Sequence, residues 1–214
     1  MIRKTGLLGG AFNPPHYGHL RPAQEAMQAL GLERVVFIPT GVHPFKGPEL
    51  LAPVEHRLAM LRLALTGWPG FDLWEIEAQS SEISYTVNTL TAWHCLHPDQ
   101  EPVLLIGADI LRELHLWRAW RRIPELAHVV LMTRPGFVGE VDFPAWEYLE
   151  RFRVGSVEEL DRQRLGRYGF LPIRVTPQPI ASTELRHRLR TGEAVAGMMP
   201  EGVAGYIGNQ KLFQ

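Results

Sequence analysis

Residues 7–20 read LLGGAFNPPHYGHL, and the rest of the chain is interpreted outward from this stretch. It follows a short apolar run starting near Ile2, passes Gly9 and Gly10 and then Pro14 and Pro15, and delivers His16 and His19 to the start of a helix. The order is strand, tight loop, helix N-terminus. Paired glycines let a backbone approach a ligand without a Cβ clash. The first turn of a helix presents unpaired N–H groups at the positive end of its macrodipole. His16 and His19 are three residues apart and share a face, and each imidazole can donate a hydrogen bond to a phosphate oxygen. The stretch predicts a polyphosphate cradle.

Neither Gly-x-x-x-x-Gly-Lys-Ser/Thr nor Gly-x-Gly-x-x-Gly occurs here, so the two commonest phosphate loops are excluded. His16-Tyr17-Gly18-His19 instead resembles the His-x-Gly-His signature of the nucleotidyltransferase superfamily, relatives of the class I aminoacyl-tRNA synthetases. On four residues alone, a structural histidine pair and a two-histidine metal site stay open.

From Gly18 to Leu30, apolar residues at Leu20, Ala23, Ala26, Met27 and Leu30 repeat at helical spacing, and Gly31 supplies a stop. Val35 to Pro39 (VVFIP) then reads as a buried strand. Strand, helix and strand in this order make a βαβ unit with a right-handed crossover. A cradle after its first strand lies where such sheets bind ligands. Further strands are predicted at Phe71–Ile76, Val103–Gly107, His128–Gly136 and Phe170–Val175. The fold class is therefore α/β, a Rossmann-like open parallel sheet with helices on both faces. One domain is expected over residues 1–214, with a surface insertion at 137–168 and a helical end at 179–214.

Several side chains qualify as site candidates. Pro39 to Pro53 is rich in Pro and Gly and runs about 15 residues, a length at which loops tend to be functional; its one cation is Lys46. Val54 to Leu65 predicts a helix with Leu58, Leu61, Leu63 and Leu65 in the core. Ser84, Tyr85 and Thr86 precede another helix, either capping it or helping its N-terminus present N–H groups to an anion. Asp109 follows the Val103–Gly107 strand, as a crevice carboxylate or as the N-cap of the next helix. Trp117 and Trp120 stand at helical spacing beside Arg118; such tryptophans are usually core, though one can stack on a flat ring. Arg134 ends a strand. Ser182 reads as an N-cap, with Arg186 one turn into its helix, and a short helix starts at Pro200.

Composition narrows the classes. With 22 basic and 23 acidic residues and a net charge of −1, nothing demands a nucleic-acid partner, and an anion site must be a local concentration of donors. Hydrophobic residues at 45% and charged residues at 21% are globular values. Cys95 is the single cysteine and is expected to be a small buried residue on a helix. No signal peptide and no apolar run near the roughly 20 residues that span a bilayer are seen, so a cytoplasmic setting without membrane partners is expected. Oligomeric state, including a homo-oligomer, is left open.

Five stretches in order carry a more specific resemblance: GGAFNPPHYGH (Gly9 to His19), PTGVHPFK (Pro39 to Lys46), SYTVNTL (Ser84 to Leu90), LLIGAD with its following tryptophans (Leu104 to Trp120) and IASTELR (Ile180 to Arg186). Together, and with the MPEGVAGYI ending, they resemble bacterial nicotinate-nucleotide adenylyltransferases. The resemblance implies AMP transfer from ATP to nicotinate mononucleotide, giving nicotinate adenine dinucleotide and pyrophosphate, with Mg²⁺ held mainly by the ATP phosphates. It implies that His16, His19 and Arg186 are catalytic. ATP would be bound by Gly9, Gly10, Ala11, Phe12, His16, His19, Gly107, Ser182, Thr183 and Arg186. Lys46, Tyr85, Thr86, Asp109, Trp117, Arg118 and Arg134 would serve the mononucleotide, with Trp117 stacking on the pyridine. No residue is assigned as a metal ligand.

Two positions depart from the family pattern. Residue 11 is Ala where Ser or Thr is common, and residue 13 is Asn where Asp is common. The first removes a hydroxyl from the cradle; the second leaves an amide able to brace the loop. Rival readings are a sister adenylyltransferase using nicotinamide mononucleotide or another phosphate acceptor, a non-catalytic nucleotide-binding module, and a metal-binding histidine protein.

Overall fold

Apolar runs without a polar break become strands covered on both faces, which is how RVVFIP and HVVLMT behave. In the computed structural model, which describes residues 3–45, 47, 50–133, 143–162 and 168–214, these are β2 (Arg34–Pro39) and β5 (His128–Thr133). The remaining strands are β1 (Arg3–Gly10), β3 (Phe71–Leu73), β4 (Gln100–Gly107) and β6 (Phe170–Arg174). Among the described residues they form one six-stranded sheet in the order β3, β2, β1, β4, β5, β6. The pairs β1–β4, β4–β5 and β5–β6 are parallel, with Leu7 opposite Leu104 and Leu104 opposite Val129. This is the strand order of a doubly wound Rossmann fold, as expected.

The chain divides into two compact units. The first comprises Met1–Leu8, Ala23–Val36 and Tyr85–Thr176; the second comprises Gly9–Pro22, Phe37–Ser84 and Pro177–Gln214. In the first, Gly6 on β1 leaves space that Val35, Leu32 and Leu105 fill; an added Cβ would stand 3.0–3.3 Å from them. Its helices are α3 (Thr86–Leu96), α4 (Ala108–Glu113), α5 (Ile123–Leu126), α6 (Pro144–Glu150) and α7 (Val157–Asp161). The described part of the expected surface insertion holds α6 and α7, and it buries Ala145, Leu149, Val154 and Leu160. Cys95 lies on α3 but is exposed, contrary to expectation, because Val87, Leu90 and Trp93 form that helix's buried face.

The second unit holds α2 (Val54–Leu65), α8 (Ser182–Thr191) and α9 (Glu201–Gln210). Most of α1 (Tyr17–Ala29) belongs to the first unit by sequence, but its first turn, Tyr17 to Pro22, belongs here. Helix α2 has the predicted bounds and a different core face. Its buried residues are Arg57, Met60, Leu61 and Ala64, while Leu63 is exposed and Leu58 and Leu65 are only half-buried. The i, i+3, i+4, i+7 stripe begins at an arginine, which a search for apolar spacing passes over. Helix α2 packs on α9, where His56 Nδ1 and Tyr206 Oη lie 2.9 Å apart. Strand β3 stops at Leu73, three residues short of its predicted end.

Candidate active site

The cradle is assembled within the second unit, beginning from backbone geometry. Phe12 has φ +47°, a left-handed conformation that turns the chain after Gly10. Its ring is buried, edge-on to His19 at 5.1 Å between centroids and tilted against Phe37 at 5.7 Å. Phe12 thus supports His19 from the protein side. The carbonyls of Gly10 and Ala11 are taken by Thr40 N–H at 3.0 Å and Arg57 Nη1 at 3.0 Å.

His16 stands immediately before α1. Its carbonyl accepts from the N–H groups of His19 and Leu20, and its Nδ1 accepts from Gly18 N–H at 3.1 Å, so the imidazole caps the helix. With Nδ1 an acceptor, the ring proton of the neutral form is on Nε2, which donates to Ser182 Oγ at 3.1 Å. The Ser182 hydroxyl in turn donates a hydrogen bond to the Pro14 carbonyl at 3.3 Å. Burial, with a smaller contribution from His19, pushes the His16 pKa down from 6.5 to about 2. His16 is therefore a neutral, doubly engaged group.

His19 lies beside it, with ring centroids 3.8 Å apart. Its Nδ1 accepts from the His16 N–H at 3.3 Å, leaving Nε2 to carry the proton in the neutral ring. Gly18, between them, is sterically required: an added Cβ would stand 2.8 Å from the His16 ring and 2.9 Å from the Ile180 carbonyl. The glycine that close packing demands is thus Gly18, whereas Gly9 has no neighbour within 4 Å of a Cβ position.

Helix α8 docks on the same loop. Its N-cap is Ala181, not Ser182 as expected, because the Ser182 hydroxyl is committed to His16 and Pro14. Arg186 Nη1 donates to the Asn13 carbonyl at 2.8 Å and Nη2 to Thr183 Oγ1 at 3.4 Å. Burial and the nearby Arg190 draw the Arg186 pKa downward. The imidazoles from the start of the chain and the guanidinium from near its end thus meet around one loop. Asn13 also donates from Nδ2 to the Leu50 carbonyl at 3.2 Å and accepts the Ala52 N–H on Oδ1 at 3.0 Å. An aspartate there has no donor for Leu50.

Of the candidates for the acceptor nucleotide, Tyr85, Thr86, Asp109, Trp117 and Arg118 lie in the first unit. The Arg118 guanidinium sits over the Tyr85 ring, 4.9 Å from its centroid. Tyr85 is the N-cap of α3 and Thr86 its first residue, and no side chain caps the turn. The capping expectation for Ser84 fails, because Ser84 Oγ instead accepts from Gly41 N–H at 3.1 Å, within the second unit. The predicted helix through Trp117 and Trp120 breaks up: α4 ends at Glu113, Trp117 is extended and Ala119 has φ +49°. The two indoles differ in burial, with Trp120 buried and Trp117 half-buried. Gly107, not Asp109, is the N-cap of α4; Asp109 follows in its first turn, and its Oδ1 would lie 2.5 Å from a Cβ at Gly107. Lys46 and Arg134 lie outside the described residues.

Arg57 was not among the predicted site residues, and its polar identity in a core stripe was the available signal. It is 2% exposed and its guanidinium is directed at backbone carbonyls around the cradle.

A doubly wound parallel sheet whose first strand ends in a His-x-Gly-His cradle, backed by an arginine from a later helix, defines a nucleotidyltransferase-type α/β protein. Comparison with known proteins agrees: residues 7–188 match the cytidylyltransferase-like family model. A nicotinate-nucleotide adenylyltransferase of Shewanella sediminis is 36% identical over 211 residues, covering 99% of this chain and 98% of the relative. One of Aeromonas salmonicida is 38% identical over 212 residues, covering 98% and 96%. The fold matches that of the Plasmodium falciparum nicotinic acid mononucleotide adenylyltransferase solved with NaAD, at TM-score 0.74 and 17% identity over 99% of this chain and 97% of that one. The chain belongs to the nicotinate-nucleotide adenylyltransferase family, within the cytidylyltransferase-like family.

Proposed function

We propose that the protein transfers the adenylyl group of ATP to nicotinate mononucleotide, forming nicotinate adenine dinucleotide and pyrophosphate in NAD biosynthesis. Full-length relatives carrying the family's name support the acceptor. The single structural observation that carries the ATP half is the meeting of His16, His19, Ser182 and Arg186 around residues 13–19.

A phosphate oxygen of the mononucleotide forms a bond to the α-phosphorus as the bond from that phosphorus to the bridging oxygen breaks, and pyrophosphate leaves. The nucleophile is already an anion, so no general base and no covalent enzyme intermediate are needed. Catalysis then rests on alignment and on stabilising charge at the transferred phosphorus and leaving group. His19 and Arg186 are assigned that stabilisation. His16, being neutral and bonded on both nitrogens, is assigned to holding the cradle against α8.

The cradle's side chains are imidazoles, hydroxyls, an amide and a guanidinium, with no carboxylate among those joined to it by the hydrogen bonds above. Such a set fits Mg²⁺ that arrives on the triphosphate, held by phosphate oxygens and water, where it would supply charge neutralisation. Gly9 to Phe12, Ser182 and Thr183, with Gly107, are assigned to ATP; Tyr85, Thr86, Asp109, Trp117 and Arg118, with Lys46 and Arg134, to the mononucleotide. Among the described residues no helix is long and apolar enough to cross a membrane.

The test is pyrophosphate release from ATP and Mg²⁺ with nicotinate or nicotinamide mononucleotide as acceptor. Turnover with a higher kcat/KM for nicotinate mononucleotide is expected. Release favouring the amide would identify the sister activity, and tight ATP binding with no release for any acceptor would identify a binding module.

A further inference from the structure

Helix α2 buries Met60, Leu61 and Ala64, and the position completing that stripe is Arg57. A methionine or leucine would satisfy helix packing there, and burying a guanidinium is costly unless its donors are matched. They are matched by neutral carbonyls: Nε donates to Ala52 O at 3.0 Å, Nη1 to Ala11 O at 3.0 Å and Thr40 O at 2.7 Å, and Nη2 to Gly41 O at 3.4 Å. Burial pulls its pKa down, opposed by the charge of Glu55 on the exposed first turn of α2.

The carbonyls belong to three chain segments of the second unit. Ala11 is in the glycine-rich loop, Thr40 and Gly41 begin the loop after β2, and Ala52 ends it. Other bonds converge on the same peptides. Thr40 N–H reaches Gly10 O at 3.0 Å, Gly41 N–H reaches Ser84 Oγ at 3.1 Å, and Asn13 holds Leu50 and Ala52. Gly41 has no room for a side chain, since a Cβ would lie 2.0 Å from the Glu77 carbonyl. Both ends of the loop carrying Lys46 are therefore tied to the cradle through one planar fork, a geometry that a lysine's point charge does not reproduce.

We propose that Arg57 is a positioning residue for adenylyl transfer: it fixes the roots of the 40–52 loop to the glycine-rich loop so that the acceptor-side loop and the ATP cradle keep one alignment. The proposal rests on the adenylyl-transfer reading above. Loss of alignment lowers the rate of the chemical step more than it weakens either ligand alone, because each half keeps its own contacts.

The experiment compares wild type, Arg57→Lys and Ser84→Ala, the last releasing the Gly41 N–H from outside the α2 core. Circular dichroism establishes the folded fraction, and kcat and both KM values are measured per folded protein by pyrophosphate release. Arg57→Lys is expected to lower kcat about tenfold or more while each KM moves less than about threefold, and Ser84→Ala to show the same pattern more weakly. A folded Arg57→Lys enzyme with wild-type kcat overturns the proposal, as does a loss of activity wholly accounted for by less protein being folded. Should Arg57→Lys fail to fold, an unchanged kcat in Ser84→Ala overturns it. A wild-type chain that releases no pyrophosphate with any acceptor sinks the transfer reading itself, which is a different failure from an active wild type beside an equally active Arg57→Lys.

Discussion

His16 Nε2 and Ser182 Oγ, 166 positions apart in the chain, are joined by a 3.1 Å hydrogen bond that tells the two residues' roles apart. The imidazole is buried and neutral, and the hydroxyl is the acceptor that keeps its N–H satisfied. Ser182→Ala leaves a buried donor unpaired, which costs about 1–3 kcal/mol. Urea unfolding should show that loss, and Ser182→Thr, which keeps a hydroxyl, should recover most of it. An alanine variant as stable as wild type would contradict the assignment.

The depressed His16 pKa makes stability depend on pH. The unfolded chain binds a proton below pH 6.5 that the native state refuses until about pH 2, so the native state is favoured above 6.5 and loses ground as pH falls through that window. Between pH 6.5 and 5 this amounts to about 2 kcal/mol. His16→Asn keeps an acceptor for the Gly18 N–H and removes the titration. Its unfolding free energy should fall less steeply over this range, and parallel pH profiles would refute the prediction.

His19 accepts the His16 N–H on Nδ1, and its ring is held edge-on by Phe12. As a preorganised donor, its loss in His19→Ala is expected to cut kcat by about 10²-fold or more with a much smaller change in the KM for ATP. Near-normal turnover would return His19 to a structural role.

Trp117 and Trp120 separate a specificity role from a packing role. Trp120 is 7% exposed, so Trp120→Ala should destabilise the fold by about 3–5 kcal/mol. Trp117 is half-buried, and Trp117→Ala should raise the KM for nicotinate mononucleotide and shrink its advantage over the amide at little cost in stability. If both Michaelis constants stay put, the stacking assignment is wrong.

From the sequence by itself came the alternation of strands and helices, the loop and helix start at residues 9–19 and the bounds of α2, because periodicity, glycine turns and helix starts are encoded in neighbouring residues. The same local logic failed where a residue's partner is distant. Ser182 looked like an N-cap but bonds His16, and Arg57, which a reading of α2 for apolar spacing passes over, turns inward to four carbonyls. Likewise, Trp117 and Trp120 looked like neighbours on one helix, which the extended Trp117 and the left-handed Ala119 interrupt. Only the tertiary structure decided these, since a buried polar group must find its hydrogen-bond partner wherever packing places one, and that pairing has no fixed spacing along the chain.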